Sequence, residues 1–224
     1  MAEDYVVKGM SKANLERSAL KFLVRYKKSA LEDDADPLDV EELLGDIMYE
    51  HSKYAFCIRP DDEFPLDVEA LTSFYERVIE LKQSDFDKLS IPSRSRFTAC
   101  HEIAHAILHT SQLEHLRKPG EGVELFRKKE DIPTYQQADW QAETFSSALL
   151  MPIIPAVRLY KSLLHDGFCI EMIIEAFVKR FMVTWSAAEV RVDMIRGYIR
   201  KGEDKRLEQY VKKISSVTPI TEPN

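Results

Sequence analysis

Apolar residues recur at three- and four-residue intervals along most of the chain, a pattern that predicts a mostly helical protein. Leu15, Ala19, Leu20, Leu23 and Val24 mark an amphipathic helix over 14–28. Asp36 followed by Pro37 reads as an N-cap and a first helical position, opening a second helix through Val40, Leu43, Leu44, Ile47 and Met48. The stretch 54–90 is less regular, and only Val78-Ile79-Glu80-Leu81 has strand character there. Phe97, Cys100, Ala104 and Ile107 form the apolar stripe of a helix that Pro92 and Ser93 introduce. A polar stretch containing Pro119, Gly120 and Gly122 then runs to Pro133. Such a loop suits either the border of a substrate cleft or a surface insertion. Helices follow over 136–150, closed by Met151-Pro152, and over 156–164 and 170–181. The last opens at Ser186, with Glu189 three residues on as a capping box, and runs towards Ile199. Residues 218–224 read as a frayed tail.

Composition narrows the class. The chain has 224 residues, 45% hydrophobic and 31% charged, enough for one good-sized domain or a domain with an appendage. No apolar run approaches the ~20 residues of a membrane span. The segment 1–12 carries acidic residues and no hydrophobic signal core, so secretion is not expected. Cys57, Cys100 and Cys169 are odd in number and far apart, which disfavours a disulfide framework or a cysteine-rich zinc site. The expected compartment is the reducing cytoplasm. A net charge of −7 disfavours general nucleic-acid binding. Residues 179–213 nevertheless hold ten Lys/Arg against five Asp/Glu. That excess reads either as a solvated helical face or as a docking surface for DNA or an acidic partner.

His101-Glu102-Ile103-Ala104-His105 is the motif that carries chemistry. At about 100° per residue, histidines four apart lie roughly 40° apart on one helical face. Both imidazoles can therefore reach one zinc ion, and Glu102 is placed to take a proton from zinc-bound water. The bland alternative is a helix with two solvated or core histidines. A catalytic zinc needs a third protein ligand and an open position. Asp139 and Glu143, four apart on the helix over 136–150, are the candidates. One could bind zinc while the other holds a ligand histidine through its second ring nitrogen.

Arg96-Phe97-Thr98 before the histidine motif, then Ala142, Phe145 and Leu149-Leu150-Met151-Pro152, resemble the ImmA/IrrE family of zinc metallopeptidases. The strong part of the resemblance covers about residues 94–152, and a weaker one continues through Val183-Thr184 and Ala187-Ala188 to Arg191. Asp139 stands where that family has its ligand glutamate, and Glu143 where it has asparagine. The match to the ligand position favours His101, His105 and Asp139 as metal ligands, with Glu102 as general base; the reversal leaves Glu143 open as the ligand. Ala104 replaces a common glycine.

The resemblance implies an α+β, mostly helical fold: a zincin-like metallopeptidase core with a small sheet over 71–165, between an N-terminal helical region (1–70) and C-terminal helices (166–224). It also implies a zinc-dependent endopeptidase acting on a protein, typically a helix-turn-helix transcriptional repressor. One rival is a non-catalytic zinc protein that sequesters a repressor or toxin, against which an intact Glu102 argues. The other is a DNA-binding regulator using the helices around Phe181 to Ile199, which salt-dependent duplex binding would reveal. Four further residues have weaker claims. His109 reads as a polar helix end, His115 as a loop residue able to assist the transition state, Tyr135 as a packed ring or oxyanion donor, and Cys100 as a small buried side chain.

Overall fold

The computed structural model describes residues 3–64, 68–114, 126–128 and 132–217. In chain order the elements begin with β1 (Glu3–Tyr5), α1 (Lys12–Tyr26), α2 (Val40–Glu42), a π-helical turn (Leu43–Ile47) and α3 (Met48–Ser52). Next come β2 (Ala55–Arg59), β3 (Ala70–Ser73), β4 (Val78–Lys82), α4 (Gln83–Phe86), α5 (Arg94–Leu108), α6 (Thr110–Leu113) and β5 (Phe126–Lys128). The chain continues through α7 (Ala138–Leu150), α8 (Ile153–His165), α9 (Ile170–Phe181), α10 (Trp185–Lys201) and α11 (Glu203–Val217). This is the α+β, mostly helical class expected. Two compact units are present, each assembled from separated stretches: Met1–Ser11 with Asp39–Ser146, and Lys12–Leu38 with Ser147–Asn224. That grouping differs from the contiguous regions 1–70, 71–165 and 166–224.

In the first unit β4 is the central strand, parallel to β2 and antiparallel to β3. Alternation puts Ile79 and Leu81 on the buried face while their neighbours are half-buried. α5 packs against β3 and β4, so the one strand legible in the sequence lies beside the motif helix. Close approach is possible because the buried face of α5 is made of small side chains, Ala99, Cys100, Ala104 and Ala106, together with Ile103. Phe97 and Ile107, expected in that stripe, are only half-buried. Ser93 precedes the helix as expected, but its hydroxyl donates to the Lys88 carbonyl and caps nothing. The second helix is capped by Asp39, whose carboxylate accepts from Glu42 N at 3.0 Å, and not by Asp36.

The start of the chain anchors the entry of α7. β1 pairs antiparallel with β5, Val6 bridges Gln137, Val7 N donates to Gln136 O at 2.9 Å and Met10 N to Tyr135 O at 3.0 Å. Val7, Leu113 and Ala138 bury a small apolar cluster under these bonds, with Tyr5 and Phe74 against it.

The second unit holds α1 and α8 to α11. Its core contains the fully buried Arg191, whose guanidinium pairs with the buried Glu16 carboxylate and donates to the Met151 carbonyl at 3.0 and 2.6 Å. A buried charge of this kind is tolerable only when its donors are matched. Here the match secures the Leu149-Leu150-Met151-Pro152 end of α7, giving Arg191 a structural role. α10 opens two residues earlier than expected from Ser186: Thr184 is the N-cap and its Oγ1 accepts from Ala187 N at 3.3 Å. Gly202, at φ 66°, closes α10 in the left-handed conformation that glycine adopts without strain, and α11 follows at once. Among the described residues no single helix is long and apolar enough to cross a membrane.

Candidate metal centre

The polar face of α5 descends from cleft to core. His101, His105 and His109 recur every four residues, with side chains 21%, 10% and 0% exposed. His101 Nε2 and His105 Nε2 converge to 2.9 Å. Asp139 Oδ1, from the first turn of α7, lies 3.9 Å from the first and 3.6 Å from the second. Asp4 holds that turn in place. Its buried carboxylate accepts from Asp139 N at 3.3 Å through both oxygens and from Tyr5 N at 2.7 Å. An anion there also faces the positive end of the α7 dipole.

These three atoms fit a zinc ion by chemistry and by span. Two imidazoles and a carboxylate are a donor set that catalytic zinc uses, and bonds of 2.0–2.1 Å in tetrahedral geometry put ligand atoms roughly 3.3 Å apart. The observed 2.9, 3.6 and 3.9 Å bracket that separation. Asp139 completes this cluster, whereas Glu143, one turn further along α7, is exposed.

Glu102 stands beside the cluster and is oriented by β3. Thr72 Oγ1 lies 2.6 Å from Glu102 Oε2 and 3.2 Å from its backbone carbonyl. Burial pushes the Glu102 carboxyl above its usual range, with the charge of His105 and the Thr72 hydroxyl opposing the rise. For His105, burial acts to lower the pKa, but the Asp139 and Glu102 carboxylates outweigh it and hold the ring above its ordinary value. Burial drives His109 the other way, down to about 3, helped by His105.

A cavity of about 470 Å³ opens beside His101 and Glu102, walled by Val68 and Ala70 on one side and by Phe97, Thr98 and Glu143 on the other.

Other sequence candidates fall as follows. His109 does end α5, yet it is no solvent-facing polar end: it is fully buried, with Nδ1 3.0 Å from His105 Nδ1 and Nε2 3.3 Å from Gln141 Oε1. Cys100 is fully buried with its thiol pushed up to about 12 by burial, which makes it inert as a nucleophile. Phe145 is core, and Tyr135 is 53% exposed with its ring over Gly9. His115 and most of the polar stretch after His109 lie outside the described residues. Sequence reasoning missed Asp4, Thr72 and Gln141. The histidine at every fourth position was the visible sign for His109.

Residues 87–192 match the model of the IrrE N-terminal-like domain of peptidase family M78. No curated protein matches the chain. Among solved structures, a Mycobacterium tuberculosis transcriptional regulator is similar at 16% identity and a TM-score of 0.49, over 78% of this chain and 44% of that one. The chain thus spans less than half the length of that protein.

Proposed function

We propose, from the match of residues 87–192 to the IrrE N-terminal-like peptidase domain, that the chain is a zinc-dependent endopeptidase whose substrate is a regulatory protein of the helix-turn-helix repressor class. The observation that carries the catalytic part is the convergence of His101 Nε2, His105 Nε2 and Asp139 Oδ1 next to a carboxylate that is not part of the cluster. A purely structural zinc site is closed by a fourth ligand and has no use for a free base. The repressor class comes from the family resemblance.

In this reading His101, His105 and Asp139 hold the metal, which when bound supplies Lewis acidity to the scissile carbonyl and lowers the pKa of water. Glu102 takes the proton from the attacking water and delivers it to the departing amine nitrogen. Its raised pKa suits both halves of that task, since a base of ordinary carboxylate strength returns a proton readily but accepts one poorly. Thr72 keeps Oε1 free by engaging Oε2. The cavity along Ala70 and Phe97 receives the substrate side chain next to the scissile bond. The DNA-binding alternative gains little from the basic tract, because Lys179, Arg191, Arg196, Arg206 and Lys212 already sit in ion pairs.

The direct experiment loads the purified chain with zinc and exposes it to a proteome-derived peptide library and to helix-turn-helix repressors of the same proteome, reading cleavage by mass spectrometry. Chelator-sensitive cuts in both are expected. Zinc bound without any cut in either would sink the peptidase reading, and cuts in peptides but never in a repressor would sink the substrate class.

A second test concerns Thr72. Thr72→Val removes a hydrogen bond to a charged group, and cleavage should slow about 10- to 100-fold at neutral pH. That bond favours the ionised carboxylate, so its loss raises the Glu102 pKa further. The base is then protonated over a wider range, and the acid limb of kcat/KM moves to higher pH. A limb that stays in place rules Thr72 out as the group that tunes Glu102.

A further inference from the structure

The His105 ring is engaged from both nitrogens. Nε2 joins the His101 and Asp139 cluster, while Nδ1 lies 3.0 Å from His109 Nδ1. On its far side His109 Nε2 is 3.3 Å from Gln141 Oε1. Gln141 Nε2 in turn lies 3.0 Å from the Lys8 carbonyl oxygen and 2.8 Å from that of Tyr135. Backbone carbonyls only accept, so the amide NH2 must face them and Oε1 must face His109. Oε1 also only accepts, which puts the His109 proton on Nε2 and leaves a lone pair on Nδ1. His105 can then bond to His109 only by donating from Nδ1. Its Nε2 is left bare and aimed at the cluster. Burial keeps His109 neutral, and for a neutral ring any other assignment turns two carbonyls against Oε1 or two lone pairs against each other.

From this one-way chain of donors we infer that His109 and Gln141 are positioning residues that fix the tautomer and ring orientation of His105, presenting Nε2 as a metal donor. The inference rests on the zinc-site reading of His101, His105 and Asp139 and deepens it. Both residues are fully buried. Polar groups cost free energy in such a place unless their bonds are made, and an apolar pair of similar volume would fill the space without that risk. The relay ends on backbone of the N-terminal segment and of the turn before α7, the two stretches that Met10 N and Tyr135 O already tie together. Ring orientation in the site is thereby coupled to the backbone at Lys8 and Tyr135.

Zinc affinity measured by competition with a chromophoric chelator, on the full chain, tests the inference. His109→Phe keeps bulk without an acceptor and should bind zinc about 10- to 100-fold more weakly, the usual loss when a partner of a ligand histidine is removed. His109→Asn places a carbonyl oxygen near the Nδ1 position and should stay within about threefold of the wild type, since the acceptor is retained. Nitrogen-15 histidine spectra of the zinc-loaded wild type should show His105 protonated at Nδ1 and His109 at Nε2. Unchanged affinity in His109→Phe overturns the inference. So does a His109 proton on Nδ1, a result that stands even where His109→Phe does not fold. Equal weakening in both variants, with His105 ring signals unmoved, assigns the pair to packing and overturns it too. A wild type that takes up no zinc is a different failure: it sinks the zinc-site reading, and this inference with it.

Discussion

Glu102→Gln is expected to bind zinc as the wild type does and to lose the proposed peptide cleavage. The amide keeps the shape of the carboxylate but cannot accept a proton, and general-base catalysis contributes about 10²- to 10⁴-fold in rate. Zinc binding should be unaffected within a small factor, because the proposed metal donors are His101, His105 and Asp139, the cluster able to hold an ion. The amide oxygen can still accept from Thr72 Oγ1, which touches Oε2 at 2.6 Å in the wild type, so the local fold has a reason to survive. Metal content by mass spectrometry and cleavage rates on one peptide decide the matter. A variant that cuts at wild-type rate shows that Glu102 is not the base. One that loses metal as well shows that Glu102 helps to build the site.

Asp139→Ala should bind zinc more than about 100-fold more weakly than the wild type, beyond the 10- to 100-fold typical of groups that merely support a ligand. Removal of Oδ1 leaves two histidines, too few to hold the ion against water. The same change strips a carboxylate from His105, whose raised pKa rests on Asp139 and Glu102 against burial. Metal and proton compete for the same Nε2, so the residual affinity of the variant should be less pH-sensitive than that of the wild type. Glu143→Ala is the control. It is exposed and lines the cavity, so its loss should cost at most the range of a supporting residue. Titration of both variants under one set of conditions distinguishes them, and a Glu143→Ala protein that cannot hold zinc would make Glu143 the third ligand.

Much of the helical framework was legible because helix periodicity is a local property. α1, α7, α8 and α9 lie within a few residues of the expected spans, and β4 was marked by its alternating pattern. Errors gathered at the ends. Asp39 caps α2 in place of Asp36, and Thr184 caps α10 in place of Ser186. Each stretch offers several side chains able to cap, and packing selects among them. α11 was not anticipated, because its few apolar residues are spread thinly among charges; Gly202 was the available sign that one helix ends and another starts.

The pairing of His101 with His105 and the placing of Glu102 beside them were determined by the sequence itself, since a helix with 3.6 residues per turn leaves residues four apart no choice of face. From the residues alone the third ligand could be narrowed to one helix, and only the family resemblance favoured Asp139 over Glu143. Asp139 and Glu143 occupy neighbouring turns of α7, and the choice between them depends on where the first turn is held, which Asp4 does from 135 residues away. Thr72 reaches Glu102 across 30 residues, and Gln141 reaches Lys8 across 133. Such contacts leave no periodic trace in the chain. They exist only once β3, the N-terminal segment and α7 are packed around α5, when burial forces each polar group to find a partner of matching donor or acceptor character.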